Sequence, residues 1–427
     1  MPAFRGWGLA VASAALVVGA TPAMAARDKP TGVTMNQGFR LAARQAEATL
    51  TGNNLDAAAG QIAGLQPATP LETYIAAGLR MELASRRGDP QAERKALNDM
   101  LESKAVPAGQ EPYLRFLAGY FSYYLGAFDD ALAQVNYAKQ LGYDGVPVTM
   151  LTADTYVKMG KTADGMALID KAMEQQRAAG KTVPASWYDR AGALAYRQKA
   201  WGEVSRWCQL KLASYPSAGN WRSCIANYMA APGMDPQIQL DFYRLQAATG
   251  AMASERDYTG YAALAAATGF DGEAKAVLEA GKAAGKLDAT NKDIPSLLKK
   301  LTPKAAKSLA GLPAAAKKAA SAPNGAPAMA VGDTYFSLAQ YPQAADSYKL
   351  ALSKGGVDQA RVNERLGIAL ARSGDIPGGK AALAQAGGLY ANVAGFWNVW
   401  LEQQGKANAG APPATTSAAA EGPKPVS

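Results

Sequence analysis

Along most of the chain, apolar residues recur three and four positions apart, the spacing that gathers side chains on one face of an α-helix. The clearest stretch runs from Gly332 to Leu352. Gly332 and Tyr335 share a face of one short helix. A turn near 340–343 follows, and Ala344, Tyr348 and Ala351 share a face of a second helix. Small residues let two helices approach closely while large ones fill the space between them. Thirty-five residues on, the pattern returns as Gly367, Leu370, a Ser373-Gly374-Asp375 turn, Leu383 and Ala386. Upstream it reads Gly119, Gly126, Ala131, Val135 and Ala138, and 34 residues later Ala153, Tyr156, Gly160, Ile169 and Ala172. Looser copies are Gly192, Ala195, Val204 and Cys208, then Ala262, Ala265, Ala274 and Leu278.

A helix-turn-helix unit with this period predicts an all-α solenoid, in which each unit buries its apolar face only against its neighbours. At these positions the chain resembles the tetratricopeptide repeat (TPR) family, whose pattern is small, Tyr-like, small, aromatic, small. The resemblance is good over 325–359, fair over 112–179 and 360–390, and degenerate over 36–104 and 185–285. Two departures stand out: Ser122 occupies a Tyr position, and a proline near the unit end occurs only at Pro216. The resemblance implies a TPR-like α-solenoid of about seven to nine helical pairs in two blocks. It also implies a non-enzymatic scaffold that binds a peptide or protein surface in a concave groove lined by the first helix of each unit.

The repeats break at 286–327, a Lys/Ala/Pro-rich stretch expected to link an N-terminal block, 26–285, to a C-terminal pair with a capping helix, 328–405. Within it, 291–310 is compatible with a helix and 311–327 reads as flexible. Phe396, Trp397, Trp400 and Leu401 share the apolar face of the capping helix. Residues 406–427, rich in Ala, Pro, Thr and Ser, read as a disordered tail.

The N-terminus carries Arg5, an apolar run from Leu9 to Ala20 and an Ala-x-Ala ending. This describes a cleavable secretory signal over 1–25, cut after Ala25. The run is shorter than the roughly 20 residues that span a bilayer. No cysteine near the cut offers a lipid attachment point, and no later window is apolar enough to cross a membrane. The expected product is periplasmic or secreted, an exported bacterial member of the family.

Composition then removes whole classes of chemistry. With no histidine in 427 residues there is no Ser-His-Asp or Cys-His machinery and no His-ligated zinc or haem. Two cysteines cannot build a Cys-rich metal site, so no metal or other cofactor is expected. Alanine, the best intrinsic helix former, fills more than a fifth of the chain. The net charge of +9 is local. Eight lysines (286, 292, 299, 300, 304, 307, 317, 318) against Asp288 and Asp293 put +6 in the 286–327 stretch alone. Such a stretch is either a solvated linker or a contact for an acidic polymer or an anionic membrane surface. It lacks interleaved aromatics to stack bases, so nucleic acid is not expected as a partner.

Three motifs look like chemistry and are set aside. Gly374 to Lys380 has phosphate-loop spacing, but Ala381 stands where a magnesium-binding hydroxyl belongs and the segment follows a helix. Ser296-Leu-Leu-Lys299 lacks the companion motifs of penicillin-recognising enzymes. Asp129 and Asp130 open a second helix, where acids suit the helix dipole.

Two sets of residues remain. Tyr113, Phe116, Tyr120, Tyr123 and Tyr124 form a helical stripe that is either core or a partner-binding face. By the resemblance, Tyr113, Phe116, Tyr120 and Tyr124 fall on groove positions, while the family's Lys/Asn clamp for peptide C-termini is absent. The next unit has Met150, Asp154 and Lys158 there. Cys208 and Cys224 fall on neighbouring helices and are either a disulfide or two buried thiols. Trp187, Trp201, Trp207 and Trp221 surround them. The functional expectation is an adaptor for a protein or peptide of the cell envelope. The alternative is an accessory subunit for polysaccharide or peptidoglycan handling through the basic stretch, and a divergent hydrolase is the remote third.

Overall fold

The computed structural model describes residues 35–410, with side chains through 405. The expected signal segment 1–25 and the part of the expected tail from 411 lie outside the described residues. Twenty α-helices and one short 3-10 turn make up the fold, with no strand among the described residues. The chain divides into two compact units at Val183/Pro184. The expected division lay in 286–327.

Unit one has four antiparallel helix pairs: α1 (Gln37–Thr51) with α2 (Leu55–Ala63), α3 (Pro70–Arg87) with α4 (Pro90–Glu102), α5 (Glu111–Tyr124) with α6 (Phe128–Gln140), and α7 (Val146–Lys158) with α8 (Thr162–Ala178). The small positions do what their spacing predicts. A Cβ on Gly119 would lie 2.6 Å from Val135 Cγ2 and 3.0 Å from the Ala131 carbonyl, so only glycine permits this approach. Local signals set the ends: Thr69 and Glu72 form a capping box, Pro70 opens α3, and Gly88 closes it in the left-handed conformation at φ 66°.

Hydrogen bonds between equivalent positions of successive repeats tie the row together. Arg86 Nη1 donates to the Leu50 carbonyl, Tyr74 Oη to Gln110 Oε1, and Arg94 Nη2 to Asp130 Oδ2, each spanning 36 residues. Burial pushes the Tyr74 hydroxyl up to about 12, so it stays a donor.

Unit two begins with α9 (Ala185–Arg197) and α10 (Trp201–Ser214), α11 (Ala218–Met229) and α12 (Pro236–Ala248), and α13 (Glu255–Ala267) with α14 (Asp271–Ala283). Next come a single long helix, α15 (Asp293–Ser321), then α16 (Ala326–Ser337) with α17 (Tyr341–Lys354) and α18 (Gln359–Arg372) with α19 (Ile376–Leu383). A turn at Gly388–Tyr390 leads into α20 (Ala391–Gly410). The described residues thus hold nine helical pairs, four in unit one and five in unit two.

The basic stretch departs most from its reading as a linker. Residues 293–321 are one helix, which runs on from the segment compatible with a helix through 311–321, residues that read as flexible. Ile294, Leu301, Leu312 and Ala319 are buried along one face, packed on α14 and α16. Pro303 and Pro313 sit inside it, but both are exposed, so their missing hydrogen bonds fall where solvent is at hand.

Helix α20 is more than an end cap, and it runs five residues into the expected tail. It returns to the start of the unit and packs on α10 and α12. Phe396 rests 5.8 Å from the Tyr228 ring and 5.3 Å from Phe242. Phe396, Trp397, Trp400 and Leu401 are all buried, so this face is occupied. Unit two is closed on itself.

Candidate functional site

The aromatic stripe of α5 is split by the fold. Phe116 is core: it is buried against Val135, Ala138, Val148 and Leu151. Tyr113 is half-buried, with its ring 6.4 Å from Phe116 and 5.6 Å from Tyr143. Tyr143, in the loop before α7, also covers Phe116 at 5.1 Å. Sequence periodicity missed it because a loop residue has no place on a helical wheel. Further along α5 the stripe opens. Tyr120 and Tyr123 are half-buried, and Tyr124 is 54% exposed beside the exposed Leu125. Burial, then the nearby Tyr124 and Glu93, raise the Tyr120 hydroxyl above its ordinary range, so it is a hydrogen-bond donor at neutral pH.

Ser122, the departure from the repeat pattern, has a polar role. Its Oγ accepts from Arg94 Nε at 2.7 Å and lies 2.5 Å from Asp130 Oδ2, while Arg94 Nη2 reaches the same carboxylate at 2.7 Å. Burial opposes ionisation of Asp130, but hydrogen bonds from Ser122 and Arg94 outweigh it and hold the carboxyl below its usual range. Asp130 is therefore a structural anion joining α4, α5 and α6.

Unit two carries a buried ionic cluster that sequence reading did not anticipate. Arg244 of α12 grips Glu273 of α14 through Nε at 2.8 Å and Nη2 at 2.7 Å, and its Nη1 meets Asp241 at 2.5 Å. Arg365 of α18 donates to Asp333 at 2.6 Å, to Gln237 at 2.7 Å and to Asp241 at 3.5 Å. Arg361 adds a contact to Asp333 at 3.1 Å. Tyr261 and Tyr348 hydroxyls donate to Glu273 and Asp333. Arg244 also lies over Phe336 at 4.6 Å and Phe270 at 5.2 Å. Glu364 is fully buried here, with both oxygens lacking a hydrogen-bond partner. Burial first, then the neighbouring Asp241 charge, push its carboxyl well above the ordinary range. With Glu364 protonated, three arginines face three carboxylates. The cavity beside the cluster holds about 90 Å³, room for a few waters, and not for a peptide.

Of the motifs set aside, the Gly374–Lys380 segment is a helix start. Asp375 caps α19 by accepting from the Gly378 N–H, and a Cβ on Gly378 would strike that carboxylate. Cys208 and Cys224 are both buried, with free thiols in hydrogen-bond contact across the α10–α11 joint. Of the surrounding indoles Trp207 and Trp221 are buried, Trp187 and Trp201 half-buried. Among the described residues no helix is long and apolar enough to cross a membrane.

Helical pairs whose first helices begin 33 to 41 residues apart on either side of α15, joined through glycine contacts and hydrogen bonds between successive pairs, define an all-α, TPR-like helix-turn-helix solenoid. No protein-family model matches the chain, and no curated protein does. Solved structures similar to it include a tetratricopeptide repeat protein from Parabacteroides merdae, at 13% identity, covering 70% of this chain and 99% of that one, TM-score 0.34. The TPR2AB domain of yeast Sti1 in its pHSP90 complex matches at 14% identity, covering 69% and 97%, TM-score 0.25. The Cut9–Hcn1 hetero-tetramer of the APC/C matches at 12%, covering 87% and 91%, TM-score 0.27. The chain's own hairpin spacing, not these similarities, carries the assignment.

Proposed function

We propose that the protein is a non-enzymatic adaptor of the bacterial cell envelope. It captures a peptide segment or protein surface on unit one through Tyr120, Tyr123 and Tyr124. The observation that carries this reading is the contrast between the two interiors. The interior of unit two is filled by its own closing helix and ionic cluster, whereas α5 leaves Tyr124 54% exposed beside two half-open tyrosines. Tyrosines offer a large apolar surface at low entropic cost, together with a hydroxyl to orient a peptide. Phe116 and Tyr113 act as the rigid backing for this face. The envelope location is supported by the signal-like pattern of residues 1–25.

The test is the Tyr120→Ala/Tyr124→Ala double variant, combined with a photo-crosslinking residue at Leu125 in otherwise unchanged protein. Crosslinked envelope partners should disappear in the double variant while helicity stays at the parent level. Loss of helicity would place these tyrosines in the core, and crosslinks that persist would place the binding face elsewhere.

A second reading rests on α15. Lys299, Lys300, Lys304, Lys307, Lys317 and Lys318 are all exposed, and among the described residues only Lys304 has an acidic partner, Asp271 at 3.7 Å. An unneutralised basic helix suits an acidic polymer such as an envelope polysaccharide.

A further inference from the structure

Helices α10 and α11 meet in a short joint, with Ser217 capping α11 and Asn220 Nδ2 donating to the Tyr215 carbonyl at 2.8 Å. Cys208 lies on α10 and Cys224 on α11, and their thiols touch across the joint, 7% and 3% exposed. The closing helix α20 docks at this same joint. Gln403 Nε2 donates to the Leu212 carbonyl at 3.0 Å, one turn beyond Cys208, and Gln403 Oε1 accepts from Trp221 Nε1 at 3.3 Å, one turn before Cys224. Gly395 sits so close to the Gln209 amide that a Cβ there would lie 2.6 Å from it. One side-chain amide of α20 therefore bridges the two helices that the cysteines could join covalently.

We propose that Cys208 and Cys224 form an intramolecular disulfide that locks the α10–α11 joint as the docking platform of α20, making closure of unit two redox-dependent. The pair is placed for it, since both thiols are buried on adjoining helices whose neighbouring residues, Leu212 and Trp221, are bridged by the one Gln403 amide. In the reduced chain the joint is held by packing and the Gln403 bridge alone. In the oxidised chain the platform cannot splay, so α20 keeps its seat.

The chemistry is two thiol–disulfide exchanges with a disulfide oxidant. One cysteine thiolate attacks the oxidant disulfide and releases one thiol, leaving a mixed disulfide on the protein. The second cysteine attacks the protein sulfur of that mixed disulfide and expels the second thiol. Two protons and two electrons pass from the cysteines to the oxidant. Thiol contact and burial both raise the Cys208 pKa, so this sulfur reacts slowly in the closed fold. The bond forms as the chain folds or when the joint opens.

The experiment refolds the full chain in glutathione disulfide with a little glutathione, then denatures it and alkylates. The expected product takes up no alkylating agent, is lighter by two hydrogens, and yields a digest peptide linking 208 to 224. Two alkylated thiols, a lasting glutathione adduct or a bond between chains would overturn the proposal. Hydrogen exchange then reads the coupling. Adding reductant should lower protection of amides in 391–405 about tenfold or more and leave those in 70–102 unchanged. Equal protection in both redox states would leave the disulfide without its role in closure. The Cys208→Ser/Cys224→Ser variant should show the reduced pattern under all conditions.

Discussion

At the scale of single residues, the determinants are those with no room to change. Gly119, Gly332 and Gly367 each face a large side chain of the partner helix. A Cβ would lie 2.6 Å from Val135, 2.8 Å from Tyr348 and 2.5 Å from Leu383. Gly119→Val should therefore destabilise unit one by about 2 kcal/mol or more, since the branched Val135 cannot swing aside. Thermal melts of the two proteins measure this, and an unchanged melting temperature would mean that the hairpin tolerates a wider separation. Glu364 makes the opposite prediction. Its folded-state pKa is raised, so the fold prefers it protonated. Its stability contribution is fully present below the unfolded carboxylate pKa and is lost as pH rises towards the folded value. Each pH unit over which the unfolded chain alone is ionised costs about 1.4 kcal/mol. Glu364→Gln should therefore be more stable than the parent near pH 7, and the gap should close towards pH 4. Asp333 works in the other sense. Burial opposes its charge, but Arg365 and Arg361 outweigh that and lower its pKa, so it stabilises at neutral pH and the benefit fades as pH falls through the acid range.

At the scale of helices, periodicity was a good guide where burial is one-sided and a poor one where composition masked it. The hairpins at 111–140, 146–178, 326–354 and 359–383 were legible because their small and large residues recur on schedule. The stretch that holds helix α15 reads as a linker, compatible with a helix only over 291–310, because its lysines, alanines and prolines are also linker residues. Its four buried apolar positions, spaced seven and eleven apart, were too sparse to stand out. The ionic cluster was illegible for another reason. Its members come from α12, α14, α16 and α18, and Gln237 and Arg365 are 128 residues apart. No local pattern encodes such a meeting. For the tyrosine stripe, spacing showed that the residues share a face, but not that Tyr143 would cover one end of it. Because α15 is packed, deleting 286–327 would damage unit two, and charge reversal is the cleaner probe of its surface. Lys299→Glu, Lys300→Glu, Lys307→Glu and Lys318→Glu together should weaken binding to an anionic polysaccharide by tenfold or more at low salt and abolish its salt dependence, with helicity unchanged. Binding that survives reversal would remove the polymer reading.

At the scale of the whole molecule, the two units use the same hairpin for different ends. Unit one is a row whose repeats hold their neighbours through contacts such as Tyr74 to Gln110 and Arg94 to Asp130, and it leaves aromatic surface uncovered. Unit two bends its row back until α20 meets α10 and α12, and seals its interior with paired charges and edge-to-face aromatic rings. A repeat row is stabilised by nearest neighbours alone, whereas closure adds one interface that couples first elements to last. Ending the chain after Tyr390 removes Phe396, Trp397, Trp400 and Leu401 from the interior, all of them buried. Losing large aromatic side chains from a packed interior costs about 3–5 kcal/mol each, more than a typical unit can spare. Scanning calorimetry of this truncated protein should show loss of the unit-two transition and retention of the unit-one transition at its parental temperature. Retention of both would mean that unit two is held by neighbour contacts alone. Loss of both would mean that unit one, despite its own core, does not fold without unit two.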